Sequence, residues 1–582
     1  MFISPEVLSD STWRAYERLV CRLASHLGFS GIRAVGQTND GGADLIAHRD
    51  AKRWLFQVKR LGIRVGPDVI DRTLQAVRTY RADVPVVVSA KGFTDAAREQ
   101  QLSLMREHVP LQLWDRKALL EKVSQLKDQA VVEAPDSMFQ LRSYQEEAIR
   151  LILEMYLEHR RRRGLVVMAT GLGKTVVAAE AIRRLRAQQP LLKVLVIAHT
   201  NELVYQLEKS FWPFLRPSQG TIVWNGLEKP GLAELERTSL VFACLPTVAE
   251  HLGRGRDLPA FDFIVVDECH HVGAAMYETI IKETRAGSPG GPFLLGLTAT
   301  PWRPDEVDLT DYFGDPLITM DLVAGLRNGF LTNVDYRMYT DNIDWERLSQ
   351  LHGARLSPRA VNRTIFVTGW NDAVVLELQR TWAQQPSPRA LVFCGTIEHA
   401  QLMTDKINAL GFCRAAAIHS EPQRGRVLAP YERNRIMSDF DDGRINVICA
   451  VDIFNEGVDV PDVNIIVFQR VTHSRRIFIQ QLGRGLRLAP GKSRVVVLDF
   501  VSDIRRFAAG LDLKDELGAP PHPGERRHIA LGNTVSFRRV GGADPQTETF
   551  LRQWLDDVTA VEGAGEDSSV LKFPPVLPGS KL

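Results

Sequence analysis

The sequence predicts an α/β chain: a small mixed α/β domain on the N-terminal side, then two larger domains, each a parallel sheet covered by helices. Three observations lead there. At 582 residues the chain has room for roughly three to four domains. Apolar runs alternate with amphipathic stretches from Met138 to about Phe330 and again from about Asn333 to Phe507, the pattern of strands buried on both faces. Residues 1–130 keep a different rhythm, with short strands and helices closely interleaved.

Composition narrows the class. Apolar residues make up 45% and charged residues 24%, the balance of a soluble chain with full-sized cores. No apolar run reaches the ~18 residues that would span a bilayer, so no membrane partner is expected. The opening Met1–Asp10 stretch lacks the basic-then-apolar pattern of a secretory leader. The six cysteines (Cys21, Cys244, Cys269, Cys394, Cys413 and Cys449) are far apart, which argues against a disulfide framework or zinc knuckle and for a reducing, cytoplasmic setting. The net charge of +2 is uneven. Residues 1–130 hold 20 Lys and Arg against 15 Asp and Glu, and the remainder 52 against 55, so the basic excess sits where a polyanion would be met.

In chain order, Ser11–Leu27 predicts a helix, with Trp13, Tyr16, Leu19, Val20, Leu23 and Leu27 on helical spacing. Strands are expected at Asp44–Ala47, Trp54–Val58 and Val84–Val88, within a domain spanning 1–130. Val131–Ser137, with Pro135, reads as a linker. The first parallel-sheet domain covers 138–330, with strands at Leu165–Met168, Val194–Ala198, Leu240–Ala243, Phe263–Val266 and Phe293–Leu297. The second covers 331–510, with strands at Ala390–Phe393, Val447–Ala450, Ile465–Phe468 and Val495–Leu498. Residues 511–582 form a C-terminal extension, with 510–560, including Thr549–Leu555, read as a small helical tail and the chain from Gly563 as largely disordered. The basic run Arg160–Arg163 reads as a solvated face before the first strand.

One motif has a mechanism of its own. Strand Leu165–Met168 runs into Ala169-Thr170-Gly171-Leu172-Gly173-Lys174-Thr175 and then a helix. Glycines let backbone N–H groups wrap phosphates, and the helix N-terminus adds its dipole. Lys174 would reach the β- and γ-phosphates of ATP, with Thr175 on Mg²⁺. Asp267-Glu268-Cys269-His270 follows the apolar strand Phe263–Val266, at the carboxyl end where open sheets bind ligands. Asp267 can hold the Mg²⁺ through water, and Glu268 can serve as general base.

Taken together these residues resemble superfamily 2 helicases and translocases, specifically the DECH-box group near type I and type III restriction motors and RadD-like repair helicases. The resemblance covers about Gln140 to Phe507 and implies two RecA-like domains. Leu141–Gln145 looks like the adenine-recognition element, with Gln145 on the base edge. Ala198–Leu203 and Cys244–Val248 resemble the motifs that touch the nucleic-acid backbone, and Thr298–Pro301 the segment coupling hydrolysis to strand binding. Leu391–Cys394 and Ala417–Ser420 look like further family elements. Asp452–Pro461 resembles motif V, with Asp459 facing the nucleotide, and Gln480–Arg487 the arginine-finger motif, with Arg484 and Arg487 on the γ-phosphate. The cysteine cluster of a RadD-like zinc module is missing, which weakens that subtype.

The N-terminal domain has its own constellation. A hairpin centred on Asp50-Ala51 would put Asp44 opposite Gln57 through Lys59, and Gln57 and Lys59 on one face. Asp44, the Gln57 amide oxygen and the Val58 carbonyl could hold a divalent cation, with Lys59 stabilising charge on a phosphate or orienting water. These residues look like the Mrr-type restriction endonuclease branch of the PD-(D/E)XK fold, in which Q-x-K replaces E-x-K. Glu17 corresponds to the family's helical glutamate, Asn39–Asp44 to its glycine-rich approach to the aspartate, and Gly92–Ala97 and Leu113–Asp115 to later landmarks.

The resemblances imply an ATP-dependent DNA translocase coupled to a nuclease that uses Mg²⁺ or Mn²⁺, acting in restriction or anti-phage defence. No methyltransferase motif or target-recognition domain is evident, so either a methyltransferase or specificity chain is a partner or none is needed. Three competing readings stay open: a repair helicase whose N-terminal domain only binds, an RNA helicase, and a non-enzymatic scaffold.

Overall fold

The computed structural model describes residues 1–35, 42–126, 140–158, 162–271, 274–299, 309–339, 355–356, 371–419, 430–451, 462–469, 485–500, 511, 513–515, 517, 533–539, 542–543 and 571–572. The proposed linker 131–137, Asp459, Arg484 and Thr549–Leu555 lie outside them.

The N-terminal sheet runs in sequence order: Ser30–Ala34, Leu45–Arg49, Lys52–Lys59, Val84–Ser89 and Gln112–Trp114. The first three strands are antiparallel and the last two join in parallel. The hairpin has the expected register, Leu45 opposite Phe56 and Arg49 opposite Lys52. Its two turn residues, Asp50 (φ 53°) and Ala51 (φ 57°), are both left-handed, which matches the twist of a two-residue hairpin. The first long helix is Trp13–His26, started by Thr12, whose hydroxyl accepts from the Ala15 N–H at 3.2 Å. Phe29, Trp54, Phe56 and Trp114 form an aromatic cluster under it, the Phe56 and Trp114 ring centroids lying 5.3 Å apart.

The second sheet has seven described strands, ordered Pro316–Met320, Arg163–Met168, Phe293–Thr298, Phe263–Val266, Val194–Ala198, Leu240–Cys244 and Ile222–Trp224. Its central pairs are parallel. Phe263–Val266, Val194–Ala198 and Phe293–Thr298 are buried at every position, as helix cover on both faces demands. Arg162 and Arg163 differ from the solvated face expected of them. Their guanidinium groups donate to the carbonyls of Gly291 (2.7 Å) and Gly287 (3.0 Å), fastening the strand start to a neighbouring loop.

The third sheet is ordered Ala415–His419, Val447–Val451, Ala390–Phe393, Ile465–Phe468, Arg494–Asp499, Asn333–Tyr339, Thr534–Arg539 and Gly542–Ala543. All but the last pairing are parallel. Within 510–560, expected to be helical, the structure has a strand instead. Thr534–Arg539 is a strand beside Asn333–Tyr339, burying Val535 and Phe537 on alternate positions. Contacts divide the chain into two compact units, one of Met1–Met168, Gly173–Thr319 and Ala429–Arg435, the other of Ala169–Leu172, Met320–Leu428 and Ile436–Leu582. The small sheet and the seven-stranded sheet fall in the first.

Candidate active sites

The loop read as phosphate-binding follows strand Arg163–Met168 and leads into helix Lys174–Gln188. Gly171 (φ 90°) and Gly173 (φ 87°) take left-handed conformations that let consecutive N–H groups converge. Thr170 and Thr175 flank the turn, half-buried, and Leu172 is buried within it. A Cβ on Gly173 would sit 2.5 Å from the Gln145 side-chain nitrogen, so Gln145 lies against this loop. The Gln145 amide oxygen is occupied, accepting from the Arg142 N–H at 3.0 Å at the start of helix Ser143–Leu157. Its nitrogen end is the one aimed at the loop.

Lys174 is buried and lies 3.4 Å from Glu268, so the lysine of the loop and the proposed base meet directly. Asp267 ends strand Phe263–Val266, with its N–H on the Ile197 carbonyl at 2.9 Å. Burial first, then the Glu268 charge, raises Asp267 to about 7, and Lys174 opposes this. Its Oδ1 is buried with no hydrogen-bond partner, the condition of an oxygen shaped for a cation. Glu268 itself is held at φ 45°, a conformation that costs an L-residue energy and recurs at functional sites. Sequence reasoning gave His270 no role. It is buried, with Nδ1 2.7 Å from the Thr298 hydroxyl and 3.4 Å from Glu268, tying the acidic motif to the segment read as coupling. Thr300 and Pro301 lie outside the described residues. Arg487 sits beside strand Asn333–Tyr339, its carbonyl accepting from the Thr332 hydroxyl at 2.9 Å.

In the N-terminal domain the structure brings Glu17, Asp44, Gln57 and Lys59 together. Asp44 Oδ2 accepts from the Val58 N–H at 2.6 Å and lies 3.9 Å from Lys59 Nζ. The Thr73 hydroxyl donates its hydrogen to the Val69 carbonyl at 2.7 Å, so towards Gln57, 2.6 Å away, it can only accept. That fixes the Gln57 nitrogen towards Thr73 and Gly42, and turns its oxygen to Lys59 Nζ at 3.0 Å. Gly42 (φ 96°) leaves room for this: a Cβ there would be 3.1 Å from the Arg72 carbonyl and 3.4 Å from the Gln57 nitrogen. Glu17 lies within hydrogen-bonding reach of Asp44. Burial, and then the Asp44 charge, push it up to about 9. Its Oε1 is buried with no hydrogen-bond partner. A carboxyl that keeps its proton at neutral pH beside a second carboxyl and an amide oxygen fits a divalent cation that would displace that proton.

The family described as "Restriction endonuclease" (Mrr type) matches residues 8–123, "Type III restriction enzyme, res subunit" matches 138–303, and "Helicase conserved C-terminal domain" matches 372–489. The type I restriction enzyme EcoAI endonuclease subunit of Escherichia coli is 27% identical over 73% of this chain and 56% of its own length. The putative mitochondrial ATP-dependent helicase irc3 of Schizosaccharomyces pombe is 27% identical over 64% of this chain and 59% of its own. The DNA 3'-5' translocase XPB2 of Sulfurisphaera tokodaii is 25% identical over 64% and 85%. The chain thus spans little more than half the length of the first two relatives. The two larger sheets carry the segments matched by the restriction-enzyme res-subunit and helicase C-terminal models, which makes them a helicase-type core. The chain joins that core to an Mrr-type restriction endonuclease domain on its N-terminal side. Among the described residues no helix is long and apolar enough to cross a membrane.

Proposed function

We propose that this protein is an ATP-dependent DNA translocase or helicase carrying an Mg²⁺-dependent endonuclease, and that it acts in the cytoplasm in restriction of foreign DNA. The observation that carries the reading is the meeting, in one chain, of the Lys174–Glu268 pair at a phosphate loop and of Asp44, Gln57 and Lys59 beside Glu17. On this reading the nuclease occupies residues 1–130, the helicase domains 138–330 and 331–510, and the extension 511–582.

In the helicase core, the Gly171–Thr175 loop holds the ATP phosphates and Lys174 leaves Glu268 for them, which frees Glu268 to take a proton from the attacking water. Asp267 and Thr175 would hold the Mg²⁺, Gln145, Thr170 and Asp459 would contact the nucleotide, and Arg484 and Arg487 would neutralise the γ-phosphate. In the nuclease, Asp44, Gln57 and Glu17 would hold Mg²⁺ or Mn²⁺. That cation supplies electrophilic polarisation of the scissile phosphate. Lys59, already beside Asp44 and Gln57, stabilises the charge that develops on the phosphate oxygens. DNA is the substrate of the nuclease and the track of the ATP-driven motor, and a methyltransferase or specificity chain is the partner that would choose where to cut.

The helicase relatives support a second reading, a repair helicase whose N-terminal domain only binds DNA. Plasmid cutting separates the two. Wild type with Mg²⁺ should cut, while Asp44→Ala and Lys59→Ala should cut at least ~100-fold more slowly, the loss expected when one electrostatic stabiliser is removed. Equal cutting by all three would remove the nuclease assignment. Adding ATP, with methylated and unmethylated plasmids side by side, tests coupling and restriction in the same assay.

A further inference from the structure

We propose that Arg18 is a positioning residue of the nuclease site, through which the first helicase domain holds the Glu17 helix in register against Asp44. The inference rests on the nuclease reading above. Glu17 and Arg18 are consecutive on helix Trp13–His26, about 100° apart around its axis. Glu17 faces Asp44, while Arg18 reaches the helicase domain.

There Arg18 is gripped from two elements. Its Nη1 donates to both Glu208 oxygens at 2.7 Å, and its Nε and Nη2 donate to Glu228 at 3.1 and 2.8 Å. Glu208, on helix Asn201–Phe211, is 1% exposed and Glu228 is 5% exposed. Both acceptors are themselves fixed. The Thr221 hydroxyl donates to Glu208 at 2.5 Å, the Tyr205 hydroxyl donates to Glu228 at 3.0 Å, and the Asn225 side chain accepts from the Glu228 N–H at 2.9 Å. A planar guanidinium held by two buried carboxylates leaves the helix little freedom to rotate or slide. Burial works against the charged form, and Glu208 and Glu228 outweigh it, holding Arg18 above its ordinary value.

The surrounding contacts keep this interface closed. Trp212 of the helicase domain is buried in the core of the nuclease domain, the Phe2 N–H donates to the Pro217 carbonyl at 2.7 Å, and Lys209 donates to the Ile32 carbonyl. The nuclease site is therefore assembled on the helicase domain, and a displacement of about 1 Å in Glu17 suffices to cost on the order of 100-fold in rate.

The test uses the full chain and single-turnover plasmid cutting with Mg²⁺, at saturating DNA. Arg18→Met should slow cutting about tenfold or more and raise the Mg²⁺ needed for half-maximal rate, with DNA-stimulated ATP hydrolysis and DNA affinity within about twofold of wild type. Arg18→Lys should recover part of the loss. In a Glu17→Gln background Arg18→Met should cost less than about twofold, because it acts through Glu17. Since Arg18→Met strands two buried carboxylates, Arg18→Met/Glu208→Gln/Glu228→Gln serves as the neutral counterpart; it should melt like wild type and still cut slowly. Wild-type cutting by that triple variant, or an undiminished penalty in the Glu17→Gln background, overturns the inference alone. Wild type no faster than Lys59→Ala removes the nuclease reading and this inference with it.

Discussion

Raising the pH should tighten divalent-cation binding at the nuclease site, because Glu17 must lose a proton before it can ligate. Burial first, and the Asp44 charge second, place Glu17 at about 9. Such a carboxyl is ionised in about one molecule in a hundred at pH 7. A cation that needs the ionised form displaces that proton, so its apparent affinity rises about tenfold per pH unit below that value, or about 100-fold between pH 6 and pH 8. Stability follows the same proton with the opposite sense. The folded site keeps a proton that the unfolded chain releases above the ordinary carboxylate range, so this contribution is full at low pH and is lost as pH rises through about 9. Bound Mg²⁺ should abolish the loss by compensating the ionised pair. Titration calorimetry with Mg²⁺, in buffers of different protonation enthalpy, counts the released protons directly. Glu17→Gln has none to release and should bind weakly with a flat pH profile. A wild-type affinity that is flat from pH 6 to pH 8, or the same slope in Glu17→Gln, would refute the displaced-proton argument.

Glu268→Gln should bind ATP but lose DNA-stimulated hydrolysis by about 100-fold or more, the usual contribution of a general base; normal turnover would show the base misassigned. Gly173→Ala should weaken nucleotide binding, since the displaced Gln145 side chain can move aside but the left-handed backbone (φ 87°) still costs an L-residue about 1–2 kcal/mol. A fluorescent-nucleotide titration indistinguishable from wild type would count against it. Trp212→Ala should loosen the N-terminal domain by about 3–5 kcal/mol, read as faster amide exchange across Leu45–Lys59. A change under about 1 kcal/mol would mean that Trp212 fills space without supporting the core.

Local chemistry was legible in the sequence wherever the partners are close along the chain. The hairpin register follows from the polar turn Arg49–Lys52 centred on Asp50-Ala51, which places Asp44 opposite Gln57 through Lys59. The loop around Lys174 was readable because its glycines have few other uses between a strand and a helix. Glu17 was reached only by resemblance, since nothing in a helical glutamate announces a distant aspartate. Arg18 was out of reach, with its partners 190 and 210 residues away. Thr73 and His270 make hydrogen bonds to partners brought near only in three dimensions. The strand Thr534–Arg539 did carry a signal, Val535 and Phe537 on alternate positions, but it is short and flanked by glycine and proline, which favoured reading a tail.

Trp212 and Arg18 divide the task of docking between adhesion and register. Apolar burial is non-directional, so Trp212 attracts the nuclease domain without fixing its rotation. A buried ion cluster is a poor source of net stability, because desolvation offsets most of the Coulomb gain. Such a cluster penalises misplacement: a slip that unpairs the buried charges costs about 3–5 kcal/mol. Because Glu17 is the residue next to Arg18, that penalty acts on the helix that faces Asp44. An apolar interface of equal area could hold the two domains together as firmly, yet it would leave the helix free to turn its carboxyl away from Asp44.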